Sequence, residues 1–315
     1  MSMLEGMKIF VGTSVPQLGK EVAEFLQVPL GHVMIKRFAC GEIYVRYEET
    51  VRGYDVFVIQ SLSQPVNDNL VELMIMIDAL KRASAGRINA VIPHYGYARQ
   101  EKKVAPREPI SARMVADVLT TVGADRVVTI DLHAPAIQGF FNIPVDHLTA
   151  LPILADYFRG RDLSDAVVVA LDAGGIKRAE QMAARLNLPL VGMYKRRPDH
   201  NVAEVTHVIG DVVGKKPIII EDLIDTGGTL IAGVEALLQH GAKPEVYVCA
   251  THPILSGPAA ERMAHPAIKE VVFTNTVAIP PNRKLPKVTV LSVAPLVAKA
   301  IHRIHTEGSV SELFD

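Results

Sequence analysis

Short apolar runs recur along the chain, at 8–11, 56–60, 90–93, 126–131, 166–172, 218–221, 246–251 and 288–291. They are rich in Val and Ile on consecutive instead of alternate positions, which predicts strands covered on both faces. Between them, apolar residues return at three- and four-residue intervals. That spacing predicts helices over 68–84, 111–121, 176–186 and 230–240. Strand and helix in alternation predict an α/β fold, parallel sheets flanked by helices. One strand runs into Asp131-Leu-His-Ala134 and another into Asp172-Ala-Gly-Gly175, a parallel that falls short of a strict repeat, and a boundary is expected near 146–151.

Composition narrows this picture. A chain of 315 residues sets a prior of about two domains, and 49% hydrophobic against 21% charged residues supplies a large core. A formal net charge of −1 argues against bulk affinity for nucleic acid or membrane. The two cysteines, Cys40 and Cys249, are far apart and lack metal spacing, which suits a reducing compartment. Cys249 lies in an apolar run and reads as a buried free thiol. Residues 1–10 lack a signal-peptide pattern, and no stretch approaches the roughly eighteen apolar residues of a membrane span. A cytoplasmic location is the expectation.

The most specific chemistry lies in Lys216-Pro-Ile-Ile-Ile-Glu-Asp-Leu-Ile-Asp-Thr-Gly-Gly-Thr-Leu230. The apolar run ends in Glu221 and Asp222. Asp225 follows, and Thr226-Gly227-Gly228-Thr229 opens a helix. Glycines let the backbone curl so that several N–H groups point inward, and the helix N-terminus adds positive potential, a cradle for a phosphate monoester. Carboxylates beside it accept hydrogen bonds from vicinal hydroxyls. The combination suits a ribose 5-phosphate, although an ordinary βα turn with polar trim has the same ingredients. A Walker A loop is missing: six residues separate Gly12 from Gly19-Lys20, and Gly210 to Lys215 is too short. Tyr95-Gly-Tyr-Ala-Arg-Gln-Glu-Lys-Lys103 offers another nucleotide mode, since a guanidinium stacks on adenine and bonds phosphate oxygens. Taken alone it is equally a solvated basic loop, as is Lys195-Arg-Arg-Pro-Asp-His-Asn201.

The 216–230 stretch resembles the loop that binds 5-phosphoribosyl 1-pyrophosphate (PRPP) in type I phosphoribosyltransferases and in ribose-phosphate pyrophosphokinases. That motif alone fits both. The other blocks choose: Phe38-Ala-Cys-Gly-Glu42, Val66-Asn-Asp-Asn-Leu70, Tyr95 to Gln100, Arg107-Glu-Pro-Ile110, Asp131 to Ala134, Gly139 to His147, Asp172 to Gly175 and Lys195-Arg-Arg197 resemble, in order, those of class I ribose-phosphate pyrophosphokinases (PRPP synthetases).

The resemblance implies two phosphoribosyltransferase-like domains, residues 1–148 with 293–315 returning to them, and residues 149–292. It implies transfer of the β,γ-pyrophosphoryl group of ATP to O1 of ribose 5-phosphate, with Mg²⁺ as cofactor. Lys195 and Arg197 take the catalytic roles. Phe38, Glu42, Arg99 and Gln100 bind ATP, the first two reaching a neighbouring subunit's site. Glu221, Asp222, Asp225, Thr226, Gly227, Gly228 and Thr229 bind ribose 5-phosphate, and His133 and Asp172 help hold the metal. It also implies a homohexamer built from dimers, activated by inorganic phosphate at Arg52, Ser84, Ser309 and Ser311, with ADP as a candidate inhibitor. Three positions depart from the family pattern: Glu221 replaces an aspartate, Cys40 replaces Asp or Asn, and Pro106 replaces a serine of some members. Two other readings stand beside this one: a phosphoribosyltransferase that consumes PRPP, and a non-catalytic subunit that binds and regulates.

Overall fold

Strand β8 (Ala166–Ala170) shows how the apolar runs become a fold. Val167 and Val169 face one core, and Ala166, Val168 and Ala170 face another. Successive strand residues point to opposite faces, so a strand between two helical layers must be apolar throughout. The computed structural model describes residues 4–196, 205–280, 285 and 287–313, with nothing described of the side chains of 195, 196, 205 and 206.

The chain forms two compact units. The first comprises Met1–Thr149, Thr276–Ala278 and Ser292–Asp315, and the second Ala150–Asn275 and Ile279–Leu291. In the first, β1 (Met7–Val11), β4 (Asp55–Ile59), β5 (Arg87–Ile92), β6 (Arg126–Ile130) and β7 (Val145–Leu148) form a parallel sheet in that order. Helices α2 (Val66–Arg82) and α3 (Ser111–Val122) cover one face, burying Leu73, Met76, Ile77, Val115 and Leu119 against Val56, Val58, Ile88 and Ala90. Helix α1 (Pro16–Leu26) packs on β1 and on α8 (Ala294–His305), so the last helix of the chain belongs to the first sheet.

In the second unit the order is β10 (Val205–Ile209), β9 (Leu190–Arg196), β8, β11 (Lys216–Ile224), β12 (Val246–Pro253), β13 (Ile268–Thr274) and β14 (Val288–Leu291). All neighbours are parallel except the edge pair β9–β10. Helices α4 (Leu151–Arg159) and α5 (Ile176–Leu186) cover one face, and α6 (Gly228–Gln239) and α7 (Ala259–Met263) the other. No helix among the described residues is long and apolar enough to cross a membrane.

Three expectations change. The basic stretch at 195 begins as sheet: Lys195 and Arg196 end β9, opposite Thr206 and Val205 of β10. The expected boundary region, 146–151, begins inside the fifth strand of the first sheet, which ends at Leu148, and the two units divide between Thr149 and Ala150. A hairpin outside both sheets, β2 (Val33–Arg37) with β3 (Ile43–Tyr47), carries the Phe38–Glu42 block at its tip.

Candidate active site

Strand β11 runs three residues past Glu221, so Glu221 and Asp222 lie within the strand instead of at its end, because Leu223 and Ile224 still pair with His252 and Pro253 of β12. The ladder omits Asp222, and Ile224 joins the α6/α7 core although Ile220 faces α4/α5. Regular alternation would keep those two residues on one face, so the strand changes phase at the acid pair.

Glu221 is partly exposed and Asp222 buried. Burial, then the nearby charges of Asp222 and Asp172, push the Glu221 carboxyl up to about 8, with Arg178 pulling the other way. Arg178 Nη1 lies 3.7 Å from Asp222 Oδ1. Asp172 follows β8, and its Oδ1 accepts the Gly175 N–H at 2.9 Å, capping the turn that leads into α5 and hence Arg178. Three carboxylates outnumber one guanidinium, and hard oxygens with excess negative charge suit a divalent cation. Among the described residues no three His, Cys, Asp or Glu side chains gather as a complete metal cage.

After Asp225 the chain turns at Gly227, with φ of 73°, and its carbonyl accepts Ile231 N–H at 3.1 Å to begin α6. A left-handed φ here favours glycine. Gly233 lets α6 close on the sheet, since a side chain there would begin 2.5 Å from Leu171 Cδ2. The first turn of α6, with Thr226 and Thr229 exposed beside it, thereby stands at the carboxyl end of β11 with its N–H groups unspent by the helix.

In the first unit the corresponding edge carries side chains. Beyond β5, Tyr95 is buried and donates to the Ala112 carbonyl at 3.0 Å, while Arg99 and Gln100 are exposed. Gln100 Oε1 accepts from Ser111 Oγ at 2.7 Å, which fixes the orientation of its amide. Beyond β6, Asp131 has a φ of 41° and His133 is exposed. His147 Nε2 accepts Leu132 N–H at 2.8 Å, so the neutral tautomer of His147 holds the strand end that presents His133. Burial pushes the Glu101 carboxyl up, but hydrogen bonds from its own backbone and Lys102, with the charges of Lys102 and His133, leave it below the ordinary range. Glu101 thus joins Arg99, Gln100 and His133 at this edge.

The hairpin tip is shaped by Phe38 N–H donating to the Glu42 carbonyl and Gly41 N–H to the Phe38 carbonyl, both at 2.9 Å. Phe38 is 55% exposed and edge-on to Tyr44, and Arg37 ties the hairpin to Asp68 of α2 at 3.0 Å. Cys40 is exposed at this tip, and Cys249 is buried with its thiol pushed up by burial. The separate segments carrying Arg52 and Ser84 are joined by Gly53 N–H donating to the Ser84 carbonyl at 2.9 Å, while exposed Ser309 and Ser311 follow α8. Arg197 lies outside the described residues. Sequence reasoning missed Arg178, Glu101 and His147. Arg178 sits on a helix where nothing local distinguishes it from a surface arginine.

Comparison with known proteins identifies the family. The profile of the N-terminal domain of ribose phosphate pyrophosphokinase matches residues 7–123, and that of the phosphoribosyl synthetase-associated domain matches residues 195–315. A ribose-phosphate pyrophosphokinase of Caldanaerobacter subterraneus subsp. tengcongensis is 58% identical over 309 residues, covering 98% of each chain. One of Bacillus subtilis is 52% identical over 310 residues, with the same coverage. The crystal structure of phosphoribosylpyrophosphate synthetase from Mycobacterium smegmatis superposes with a TM-score of 0.91 at 46% identity, covering 96% of this chain and 99% of that one. With homology at this level along its whole length, the chain belongs to the ribose-phosphate pyrophosphokinase family.

Proposed function

We propose that this chain transfers the intact β,γ-pyrophosphoryl group of Mg-ATP to O1 of ribose 5-phosphate, giving PRPP and AMP for nucleotide synthesis in the cytoplasm. The observation that carries the reading is the second unit's strand, acid pair, glycine turn and helix N-terminus in immediate succession. The O1 hydroxyl attacks the β-phosphorus. The O1–P bond forms, the bond from that phosphorus to the oxygen bridging to the α-phosphorus breaks, AMP leaves, and the hydroxyl proton passes to solvent.

Residues 225–229 hold the 5-phosphate through main-chain N–H groups and threonine hydroxyls. Glu221 and Asp222 accept hydrogen bonds from the ribose hydroxyls. The longer reach of Glu221 keeps the charge of the family's aspartate while moving the acceptor outward. Arg99 and Gln100 hold the nucleotide, with Phe38 and Glu42 of a neighbouring subunit completing its pocket. Lys195 and Arg197 close on the transferring group and stabilise its developing charge. Asp172 and His133 are the residues that would help hold magnesium, which would supply neutralising charge to the phosphates.

The protein works as a homohexamer built from dimers. Inorganic phosphate activates it at Arg52, Ser84, Ser309 and Ser311, and ADP inhibits it. Arg52→Ala should abolish the response to phosphate while keeping basal turnover, and a fully active monomer would remove the shared-site part. The central experiment uses ATP labelled separately at the β- and γ-phosphorus. Both labels should reach the sugar product. Label from the γ position alone would mean an ordinary kinase, and no labelled sugar product would favour a regulatory subunit.

A further inference from the structure

Three consecutive carbonyls of the sugar-phosphate loop are held by the segment that follows β12. Leu255 N–H donates to the Ile224 carbonyl at 2.9 Å, Ser256 N–H to the Asp225 carbonyl at 3.0 Å, and Arg262 Nη1 to the Thr226 carbonyl at 2.7 Å. A trans peptide is planar, with its C=O and N–H pointing in opposite directions. Tying these carbonyls to one segment therefore turns the N–H groups of Asp225, Thr226 and Gly227 away from it.

The three ties are not equivalent. The first two are main-chain bonds that any sequence could make. The third depends on one side chain, and it holds the peptide joining Thr226 to Gly227. Gly227 has a φ of 73°, and a glycine visits either sign of φ, so this is the joint of the loop least restrained by its own sterics. Arg262 meets it with a short, charge-assisted bond. Its Cβ and Cδ lie 3.6 Å from where a side chain on Gly227 would begin, and its Nη1 lies 3.5 Å from the equivalent point on Gly228. The arginine is held in place by its helix, whose Ala259 and Met263 are fully buried.

We infer that Arg262 is a positioning residue for sugar-phosphate recognition: from behind the loop, it locks the Thr226–Gly227 peptide so that the Gly227 N–H faces the 5-phosphate. The inference rests on the functional reading above and assigns Arg262 no contact with the reacting atoms. Its consequence is a binding defect confined to one substrate, which a general structural role would not produce.

The test is steady-state kinetics on the intact protein with Mg²⁺, ATP and ribose 5-phosphate, alongside thermal melting. Arg262→Met keeps a flexible apolar stem and removes the guanidinium. It should raise KM for ribose 5-phosphate about tenfold to a hundredfold, the range of a lost charged hydrogen bond, and leave KM for ATP and kcat near wild type. Arg262→Lys should recover part of the loss. If Arg262→Met does not fold, Arg262→Lys and Arg262→Gln decide the matter, the neutral amide giving the larger KM for ribose 5-phosphate. Unchanged KM for ribose 5-phosphate, or equal rises in both KM values together with a lowered melting temperature, would overturn the inference while leaving the functional reading standing. Wild-type protein that makes no PRPP would overturn both.

Discussion

The two units set their candidate sites at the carboxyl ends of parallel strands and build them from different material. After β11 the site is mostly main chain: a left-handed glycine, a helix start, and carbonyls pinned from behind. After β5 and β6 it is mostly side chains: Arg99, Gln100, Glu101 and His133, set by Tyr95, Ser111 and His147. A phosphate is a compact charge that any row of N–H groups can satisfy. An adenine ring has faces and edges, and recognising it needs guanidinium and aromatic groups of matching shape. The exposed Phe38 at the hairpin tip suits that second task.

The largest expected effect should cut across this division. Lys195→Ala and Arg197→Ala are expected to lower kcat by about 10³–10⁵ while weakening neither substrate selectively, because the proposed mechanism sets their cations on the transferring group. Near-normal turnover in both variants would remove them from catalysis. The next pair separates the two sites. Gly227→Val forces a β-branched residue to a φ of 73° and should raise KM for ribose 5-phosphate about tenfold, with little change for ATP. Arg99→Ala should do the reverse, by a similar factor of about ten. A variant that raises both KM values equally would show that the sites are coupled, not separate.

A smaller effect concerns stability. The Glu221 carboxyl, moved from 4.5 to about 8, keeps in the folded metal-free protein a proton that the unfolded chain has lost. Its contribution is full below about 4.5 and is lost as pH rises through about 8. Glu221→Gln removes this loss. In thermal melts with chelator, the variant should gain on wild type as pH rises from about 5 to about 8. A difference that stays flat across that range would show that the carboxyl is not held protonated. The smallest effect is chemical: a thiol reagent should modify Cys40 in the native protein and reach Cys249 only on unfolding. Saturating ATP should slow Cys40 labelling if the hairpin tip closes a nucleotide pocket.

The parts legible in the sequence are those where one residue type has one physical use. The Val167–Val169 run could only be a strand covered on both faces, and Thr226-Gly227-Gly228-Thr229 contains the left-handed glycine of the turn. Burial of Cys249 followed from the apolar run around it. The hairpin of β2 and β3 was missed because its strands lie outside both sheets and are only partly covered, so they lack the dense apolar signature. Glu221 and Asp222 looked like a strand end because acids usually stop a buried run, whereas here the chain changes phase and continues pairing. Arg178 and Arg262 were invisible for another reason: each acts across space, on Asp222 44 residues later and on Thr226 36 residues earlier.

The return of α8 to the first sheet has a consequence for the order in which the protein comes into being. The second unit is encoded almost entirely between the two parts of the first. A ribosome therefore delivers every strand of the first sheet early, and the helix that covers α1 only after the second unit. Until then Leu18, Val22 and Ala23 of α1, buried in the finished protein, wait without α8, and Asp55 and Arg87 wait for His305 and the Ile304 carbonyl. The nascent chain holds an unfinished surface through the making of an entire second unit, so chaperone demand should stay high until α8 has been made.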